Sequence, residues 1–332
     1  MPLDPQVQAL LDLFRDQPPI QTLPVNVVRR AYTQRSLEMF PAVPGPAAVD
    51  RTIEGPAGPL RLRIYRPPAA GAAAGGPAAA ADGRGTDGEG LLPLIVFFHG
   101  GGWVVCDLDT HDTMCRRLCL GAHAVVVSVD YRLAPEHRFP AAPDDCLAAT
   151  RWAVAHAAAL GADATRLFVA GDSAGGNLAT VVAMRLRDAG GPVPIGQVLV
   201  YPVTAHYAAG MPAYEACAEG YGLTRAAMVW VWDAYLDQPT DLAAGVHPHA
   251  APLLAANLRG LPPAIVLTAE YDVLRDEGEA FGDRLRQAGV STVVRRFDGL
   301  HHGFLGWVHA VDRAADAMQE VCGWIRANAA RT

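Results

Sequence analysis

From residue 92 onward, short apolar runs alternate with longer segments of helical periodicity. The runs are apolar over most of their length, as expected of strands that a sheet buries on both faces. They cover residues 92–99, 124–131, 166–171, 196–202, 264–270 and 291–298, and helices are predicted over 142–159, 176–189, 276–288 and 308–328. Alternation of this kind predicts an α/β fold with a mainly parallel central sheet flanked by helices.

The segments around this alternating region have a different character. The chain before FPAVPGPAA is predicted to be helical behind a candidate cap at Asp4, and RTIEGPAGPLRLRIYRP predicts a β-hairpin around a Gly/Pro turn. Residues 67–90 are mostly Ala, Gly and Pro and are expected to form a flexible surface insertion. Residues 203–245, rich in Tyr, Trp and Met, break the strand–helix rhythm and predict a helical excursion.

Composition narrows the class of protein. Hydrophobic residues make up 51% of the 332 and charged residues only 18%, so a large core is expected and wholesale disorder is excluded. A net charge of −7 argues against nucleic acid or an anionic membrane as the main partner. The six cysteines are dispersed, which predicts neither a disulfide framework nor a zinc site. With no signal peptide and no spanning segment in the sequence, we expect a soluble, cytoplasmic protein.

The chain has four serines, and only Ser173, in VAGDSAGGN, has a glycine two residues to either side. An apolar run precedes it and a predicted helix follows, which is the context of a nucleophile elbow, a serine on a strained strand-to-helix turn. A glycine-rich turn that binds phosphate is the alternative, but the lysine of such loops is absent. We therefore interpret Ser173 as a candidate nucleophile.

A nucleophilic serine needs a base and a carboxylate that orients the base, in the chain order Ser, Asp or Glu, His. Downstream of Ser173, only His301 and His302 lie in a predicted loop just past a buried strand, where catalytic groups gather. Asp272 lies just beyond the preceding predicted strand and is the favoured carboxylate. Asp276 competes for this role, and capping of the next helix is the structural alternative for Asp272.

Three consecutive glycines follow the first of the apolar runs, in His99-Gly100-Gly101-Gly102-Trp103. Such a run costs conformational entropy, so it needs a reason. Close backbone approach, with amides free to donate to an oxyanion, is the chemical reason, and a plain tight turn is the structural alternative. The run is therefore a candidate oxyanion loop.

Six short blocks of the chain match, in order, the motifs of a known family. They are HGGGW (99–103), DLDTHD (107–112), YRLAPEHRFPAAPDD (131–145), GDSAGGN (171–177), DVLRDEG (272–278) and HGF (302–304). The sequence resembles the hormone-sensitive-lipase-like family of α/β-hydrolase carboxylesterases, and its Gly-Asp-Ser-Ala-Gly elbow resembles one main subgroup. Six blocks in the right order are far more specific than any one of them.

This resemblance implies a serine carboxylesterase that hydrolyses short- to medium-chain esters through an acyl-enzyme. The implied residues are Ser173, Asp272 and His302 for the triad, the amides of Gly101, Gly102 and Ala174 for the oxyanion hole, and His99, Gly100 and Asp172 as supporting motif residues. His301 is then a neighbour of the base. The implied division is an N-terminal cap segment (1–48), a first part of the catalytic core (49–202), a second cap segment (203–245) and a second part of the core (246–332).

The chemistry implied by the resemblance needs no metal or organic cofactor. His247 and His249, which have no cysteines or carboxylate cluster beside them, are interpreted as loop residues. The expected partner is a small-molecule ester. We expect a monomer or a homodimer, with the strand 291–298 as a candidate dimer edge if it is last in the sheet.

One residue departs from the family pattern, and two other functions stay open. Cys106 stands where the family usually has glycine, which reshapes the pocket floor and offers a thiol to modifying reagents. A hydrolase of lactones, carbamates or amides would use the same triad. A ligand-binding protein on the same fold is a more distant alternative, because relatives of that kind lack the catalytic histidine and His302 is present here.

Overall fold

The apolar runs form strands of one eight-stranded sheet in a computed structural model of the chain, which describes residues 2–68, 90–237 and 245–331. The strands are β1 (Ala47–Gly55), β2 (Gly58–Arg66), β3 (Leu92–Phe98), β4 (Val125–Asp130), β5 (Ala162–Asp172), β6 (Gly196–Val200), β7 (Ala264–Tyr271) and β8 (Thr292–His301). Their order across the sheet is β1-β2-β4-β3-β5-β6-β7-β8. Among these strands, β1–β2 and β2–β4 pair antiparallel and the other neighbours pair in parallel, which confirms the predicted α/β class.

Helices cover both faces of this sheet. They are α1 (Pro5–Phe14), α2 (Val25–Met39), α3 (Asp112–Ala122), α4 (Ala141–Ala155), α5 (Ala174–Asp188), α6 (Ala213–Ala216), α7 (Arg225–Tyr235), α8 (Arg275–Gln287) and α9 (Asp312–Ala329). Alternate residues of β3 enter two separate cores. Leu94, Val96 and Phe98 pack in the core that includes α4, α5 and α8, whereas Ile95 and Phe97 pack in the core that includes α3 and α9. Burial on both faces explains why the central strands are apolar throughout.

One helix was absent from the sequence prediction. No helix is predicted over Asp112–Ala122, where the structure has α3. The buried face of α3 includes Cys115, Leu118 and Cys119, so cysteines carry much of its helical periodicity. Cysteine packs in a core as a small apolar side chain, so the helix becomes visible in the sequence only when these cysteines are counted as apolar.

The expectation that the last strand is buried on both faces is wrong. β8 lies at the edge of the sheet, where β7 is its single partner among the described strands, and Val293 is exposed. Arg295 and Arg296 on the same strand form ion pairs with Glu320 and Glu279. An edge strand leaves part of its surface to solvent, and arginines on it discourage pairing with another chain.

The N-terminal predictions are confirmed where the structure describes them. The Oδ1 atom of Asp4 accepts the Gln6 N–H at 2.8 Å and caps α1, and the β1–β2 hairpin has Gly55 opposite Gly58. The Ala/Gly-rich insertion falls almost entirely on residues 69–89, which lie outside the described residues, as do 238–244 of the excursion. In the part of the chain that the structure describes, no helix is both long and apolar enough to cross a lipid bilayer.

Candidate active site

Ser173 lies on the turn between β5 and α5 with φ of +56° and ψ of −120°, a strained conformation for a residue with a side chain. The turn is possible because its neighbours are glycines. A Cβ on Gly175 would lie 1.9 Å from the carbonyl oxygen of Phe98, and one on Gly171 would lie 2.3 Å from the backbone of Gly175. The Ser173 N–H donates to the Val200 carbonyl at 2.8 Å, which ties the turn to the end of β6. Helix α5 begins directly at Ala174, two residues earlier than expected.

The structure brings Ser173, His302 and Asp272 together in one hydrogen-bonded chain. The Nε2 atom of His302 lies 3.0 Å from the Ser173 Oγ atom, and its Nδ1 atom lies 2.7 Å from Oδ2 of Asp272. A carboxylate only accepts, so Nδ1 carries the proton and Nε2 is free to accept from the serine hydroxyl. Asp272 follows β7 directly and is buried, and its Oδ1 atom accepts the Leu274 N–H at 2.9 Å.

The competing residues have other partners. Asp276 accepts the Ala213 N–H at 2.7 Å and forms an ion pair with Arg275, so its carboxylate holds the start of α6. His301 is the last residue of β8 and not a loop residue as expected, because β8 extends further than the apolar run. Burial lowers the pKa of His301 to about 4, and its ring faces Gly222 in the excursion. The imidazole of His301 is therefore neutral, and its ring lies against Gly222.

The glycine run forms a tight turn beside Ser173. Gly101 and Gly102 have φ values of +105° and +60°, in the region that favours glycine. The Gly101 carbonyl accepts the N–H groups of Val104 and Val105, and Val231 of α7 covers Gly102 so closely that a Cβ there would lie 2.5 Å from its Cγ1 atom. Among the described residues, neither the Gly101 nor the Gly102 N–H donates to a protein acceptor. Ala174 is the first residue of α5, so its N–H has no carbonyl of its own helix to bind.

The three supporting motif residues, His99, Gly100 and Asp172, meet behind this turn. The Gly100 N–H donates to Oδ1 of Asp172 at 2.9 Å, and Nδ1 of His99 donates to the Gly100 carbonyl at 2.7 Å. The His99 ring stacks on Tyr131, whose hydroxyl donates to the His99 carbonyl at 2.7 Å. Burial lowers the pKa of His99 to about 4, so its imidazole is neutral and has a structural place in the loop.

Three functional candidates were missed by sequence reasoning: His111, Glu277 and Arg29. His111 is buried with its Nε2 atom 3.2 Å from Oδ1 of Asp172, and Arg29 of α2 donates to the Val104 carbonyl at 2.8 Å. His111 and Glu277 stand in the family blocks DLDTHD and DVLRDEG, but those blocks assign them no role. Arg29 lies outside all six blocks, so no motif marked it.

Glu277 is a fully buried carboxyl close to the catalytic centre. Its Oε1 atom accepts the N–H groups of Thr204 and Ala205 at 2.6 and 3.0 Å, and so fixes the chain that enters the excursion. Burial raises the pKa of Glu277 to about 8, and the charge of Asp272 adds to this effect. The carboxyl is therefore mostly protonated at neutral pH.

Cys106 is less accessible than expected. Its side chain is buried, and burial raises the pKa of the thiol to about 12. It is a poor target for thiol reagents in the folded protein, because the thiolate is the reactive form. Cys106 also has a φ of +73°, the conformation in which glycine is preferred.

The described residues contain no group of three or more His, Cys, Asp or Glu side chains that could hold a metal ion. The rings of His247 and His249 lie 4.8 Å apart, and the Nδ1 atom of His247 accepts the His249 N–H. That contact belongs to a loop turn, so both histidines are loop residues as predicted.

Comparison with known proteins gives a consistent result. A family model described as the alpha/beta hydrolase fold matches residues 95–306. The chain is 40% identical to carboxylic ester hydrolase LipN of Mycobacterium tuberculosis, in an alignment that covers 99% of this chain and 84% of LipN. It is 38% identical to an ethyl acetate hydrolase of Pseudomonas putida, in an alignment that covers 78% of this chain and 76% of that protein. The solved structure of a hyperthermophilic esterase from Pyrobaculum calidifontis aligns with a TM-score of 0.87 at 37% identity, covering 98% of this chain and 99% of that one.

Fold and relatives thus define the class as an α/β-hydrolase. Within that class, the chain belongs to the hormone-sensitive-lipase-like group of carboxylesterases, which confirms the resemblance found in the sequence. It is a carboxylic ester hydrolase.

Proposed function

We propose that Ser173, His302 and Asp272 are the catalytic triad of this ester hydrolase. The observation that carries the proposal is the hydrogen-bonded chain of 3.0 and 2.7 Å that joins the strained serine to a buried carboxylate through one imidazole. Asp272 holds the Nδ1–H tautomer of His302, which leaves Nε2 to take the serine proton. Ser173 Oγ then attacks the ester carbonyl carbon, and the carbonyl π electrons move to oxygen to form a tetrahedral oxyanion.

We infer that the N–H groups of Gly101, Gly102 and Ala174 bind this oxyanion. Their backbone geometry supports the role, because the first two lack a protein acceptor among the described residues and the third begins a helix. Collapse of the intermediate breaks the carbon–oxygen bond, and His302 gives its proton to the leaving alcohol. Water then attacks the acyl-enzyme with the same base, which releases the acid and restores Ser173.

The proposed substrates are short- to medium-chain carboxylic esters. The relative from Pseudomonas putida bears the name ethyl acetate hydrolase, which supports a small acyl group. Trp232 and Tyr235 of α7 are fully buried and pack against Trp103, so they belong to the protein's own core. Tyr207 and Met211 of the same excursion are only half-buried and are better placed to line an acyl pocket.

The proposed function is tested by hydrolysis of a p-nitrophenyl ester series from acetate to palmitate. We expect turnover that is highest with short and medium chains and that falls on the order of 10⁴-fold in Ser173→Ala. An apolar pocket discriminates by only about 1–3 kcal/mol per methylene group, so the profile should be broad. Ser173→Ala with near-normal activity and intact folding would exclude this nucleophile. A folded wild type that cleaves lactones, carbamates or amides but no ester of the series would move the proposal to the neighbouring bond class.

We also propose the cytoplasm as the place of action and a monomer or homodimer as the assembly. The six cysteines are all buried and none is disulfide-bonded, which supports a reducing compartment. Light scattering of the purified protein distinguishes the two assemblies, and a larger oligomer would contradict the proposal.

A further inference from the structure

A buried carboxylate next to the nucleophile takes no part in the triad. The Oδ1 atom of Asp172 accepts the Gly100 N–H at 2.9 Å, and Nε2 of His111 lies 3.2 Å from the same oxygen. The other oxygen lies so close to Gly100 that a Cβ there would be 2.5 Å from Oδ2. The Asp172 carboxylate therefore contacts Gly100 at the start of the candidate oxyanion loop, and His111 from a different segment contacts the same carboxylate.

The protonation of His111 at Nε2 follows from its partners. Burial acts to raise the pKa of Asp172, but the contact with His111 outweighs burial and the pKa lies below its usual value, so Asp172 is ionised. A carboxylate cannot donate, so Nε2 must carry a proton. The Nδ1 atom of His111 lies 2.9 Å from the hydroxyl oxygen of Thr110. That hydroxyl also accepts the Asp107 N–H and lies within hydrogen-bonding distance of the Asp107 carbonyl. Both ring nitrogens of His111 are thus held, and the ring is buried.

We propose that His111 is a positioning residue for the oxyanion loop, acting through Asp172. The Nε2–H of His111 fixes the carboxylate in the orientation in which Oδ1 accepts the Gly100 N–H. Gly100 directly precedes Gly101 and Gly102, so this bond sets where their free N–H groups lie relative to Ser173. This inference rests on the proposed oxyanion hole, and its experiment is designed to fail separately from it.

The effect is expected on transition-state binding and not on ground-state binding. The oxyanion exists only after the serine has attacked, so misplaced amides weaken the intermediate while leaving the bound ester unaffected. Loss of one oxyanion donor costs on the order of 10²–10³ in kcat, and a displaced loop should cost part of that. A role limited to folding would instead lower the amount of active enzyme without changing kcat per folded active site.

The test compares His111→Leu with His111→Gln in the full-length enzyme. Leucine removes the donor, whereas the glutamine Nε2 reaches a similar position and can still donate to Asp172. On p-nitrophenyl butyrate, we expect kcat per titrated active site to fall about tenfold or more in His111→Leu, while KM stays within about threefold of the wild-type value. In His111→Gln, we expect most of the lost kcat to be recovered. His137→Leu, at an exposed histidine, is the matched control and should behave as wild type.

A transition-state analogue separates positioning from general damage. An alkylboronic acid forms a tetrahedral adduct with the serine, so its affinity depends on the oxyanion hole. We expect its inhibition constant to rise in His111→Leu by about the factor that kcat/KM falls. An unchanged kcat in His111→Leu, an equal loss in both variants, or a loss confined to KM would overturn the proposal.

Two further variants keep the test decisive. If His111→Leu does not fold, Asp172→Ala replaces it, because alanine has no oxygen to accept the Gly100 N–H. The same fall in kcat at constant KM is expected, and an unchanged kcat would again overturn the inference. Ser173→Ala is run in parallel. If wild type and Ser173→Ala are equally active, the proposed nucleophile has failed, and this result is distinct from any outcome of the His111 comparison.

Discussion

At the scale of single residues, Asp272 and Asp276 lie four positions apart in the chain and make different contacts. Both were candidates for the triad carboxylate. Asp272 immediately follows β7 and reaches His302 at 2.7 Å, while Asp276 lies on α8 and accepts the Ala213 N–H. The strand end selects between them, because side chains at the carboxyl ends of parallel strands converge on the site.

We expect Asp272→Asn to lower kcat severely, by about 10³–10⁴-fold, because an amide no longer enforces the Nδ1–H tautomer of His302. Asp276→Asn is the matched control and should leave turnover almost unchanged. Steady-state kinetics on p-nitrophenyl butyrate, with circular dichroism to confirm folding, makes the comparison. A larger loss in Asp276→Asn than in Asp272→Asn would move the triad carboxylate.

Residues of the candidate site could be predicted from the sequence where a motif follows the end of a strand. They could not be predicted where the contact joins two distant parts of the chain. Ser173 and Asp272 each directly follow a strand, so local pattern alone places them. His302 was separated from His301 by the His-Gly-Phe motif, and the structure gives the physical reason, since β8 ends at His301. His111 joins Asp172 from a segment 61 positions earlier in the chain, and no local signal carries that contact.

At the scale of elements, the N-terminal helix α2 is bound directly to the loop that carries the glycine run. The guanidinium of Arg29 donates to the carbonyls of Val104 and Ala134, each at 2.8 Å, and pairs with both oxygens of Glu136. The Ala134 N–H in turn donates to the Trp103 carbonyl at 2.9 Å. The Arg29 side chain of α2 thus joins the loop that contains Val104 to the loop that contains Ala134.

We expect Arg29→Ala to lower the free energy of unfolding by about 1–3 kcal/mol, because it leaves two carbonyls and one carboxylate without a charged donor. Arg30→Ala on the same helix is the matched control. Arg30 is exposed and has no ion pair with a described residue, so its loss should cost less than about 0.5 kcal/mol. Urea denaturation of both variants decides, and equal effects would contradict the role given to Arg29.

A strand or helix could be predicted from the sequence where its own residues show the apolar pattern typical of that element. The central strands are buried on both faces and read as continuous apolar runs, whereas α3 uses cysteines on its buried face and β8 carries arginines at the edge. Strand order itself depends on pairing between distant parts of the chain, and the sequence pattern does not contain it. The division into cap and core segments stays a prediction.

At the scale of the whole molecule, the buried carboxyl of Glu277 on α8 accepts two N–H groups from the start of the excursion, and its protonation makes stability depend on pH. Its folded-state pKa of about 8 lies above the ordinary value of 4.5. Between those values the folded protein keeps a proton that the unfolded chain has lost. Stability contributed by the protonated form is therefore present at low pH and declines as the pH rises toward 8.

We expect Glu277→Gln to remove this dependence. Between pH 5 and pH 8, the free energy of unfolding of the wild type should fall by more than about 1 kcal/mol relative to that of the variant. The reason is that only the wild type has a carboxyl group at position 277 that can ionise. Glu219→Gln, at an exposed glutamate, should show no such trend. Urea denaturation at the two pH values measures both differences. A parallel pH dependence of wild type and Glu277→Gln would show that Glu277 is ionised in the folded protein at neutral pH.

The central claim is that Ser173 forms a covalent intermediate, and active-site labelling tests it most directly. A p-nitrophenyl alkylphosphonate should release one equivalent of p-nitrophenol per chain as the serine displaces the leaving group. The chain has only four serines, so peptide mass spectrometry locates the adduct without ambiguity. The account predicts a single phosphonylated site in the GDSAGGN peptide, absent from Ser173→Ala. A stoichiometric adduct on any other residue, or none in a protein that still hydrolyses esters, would contradict it.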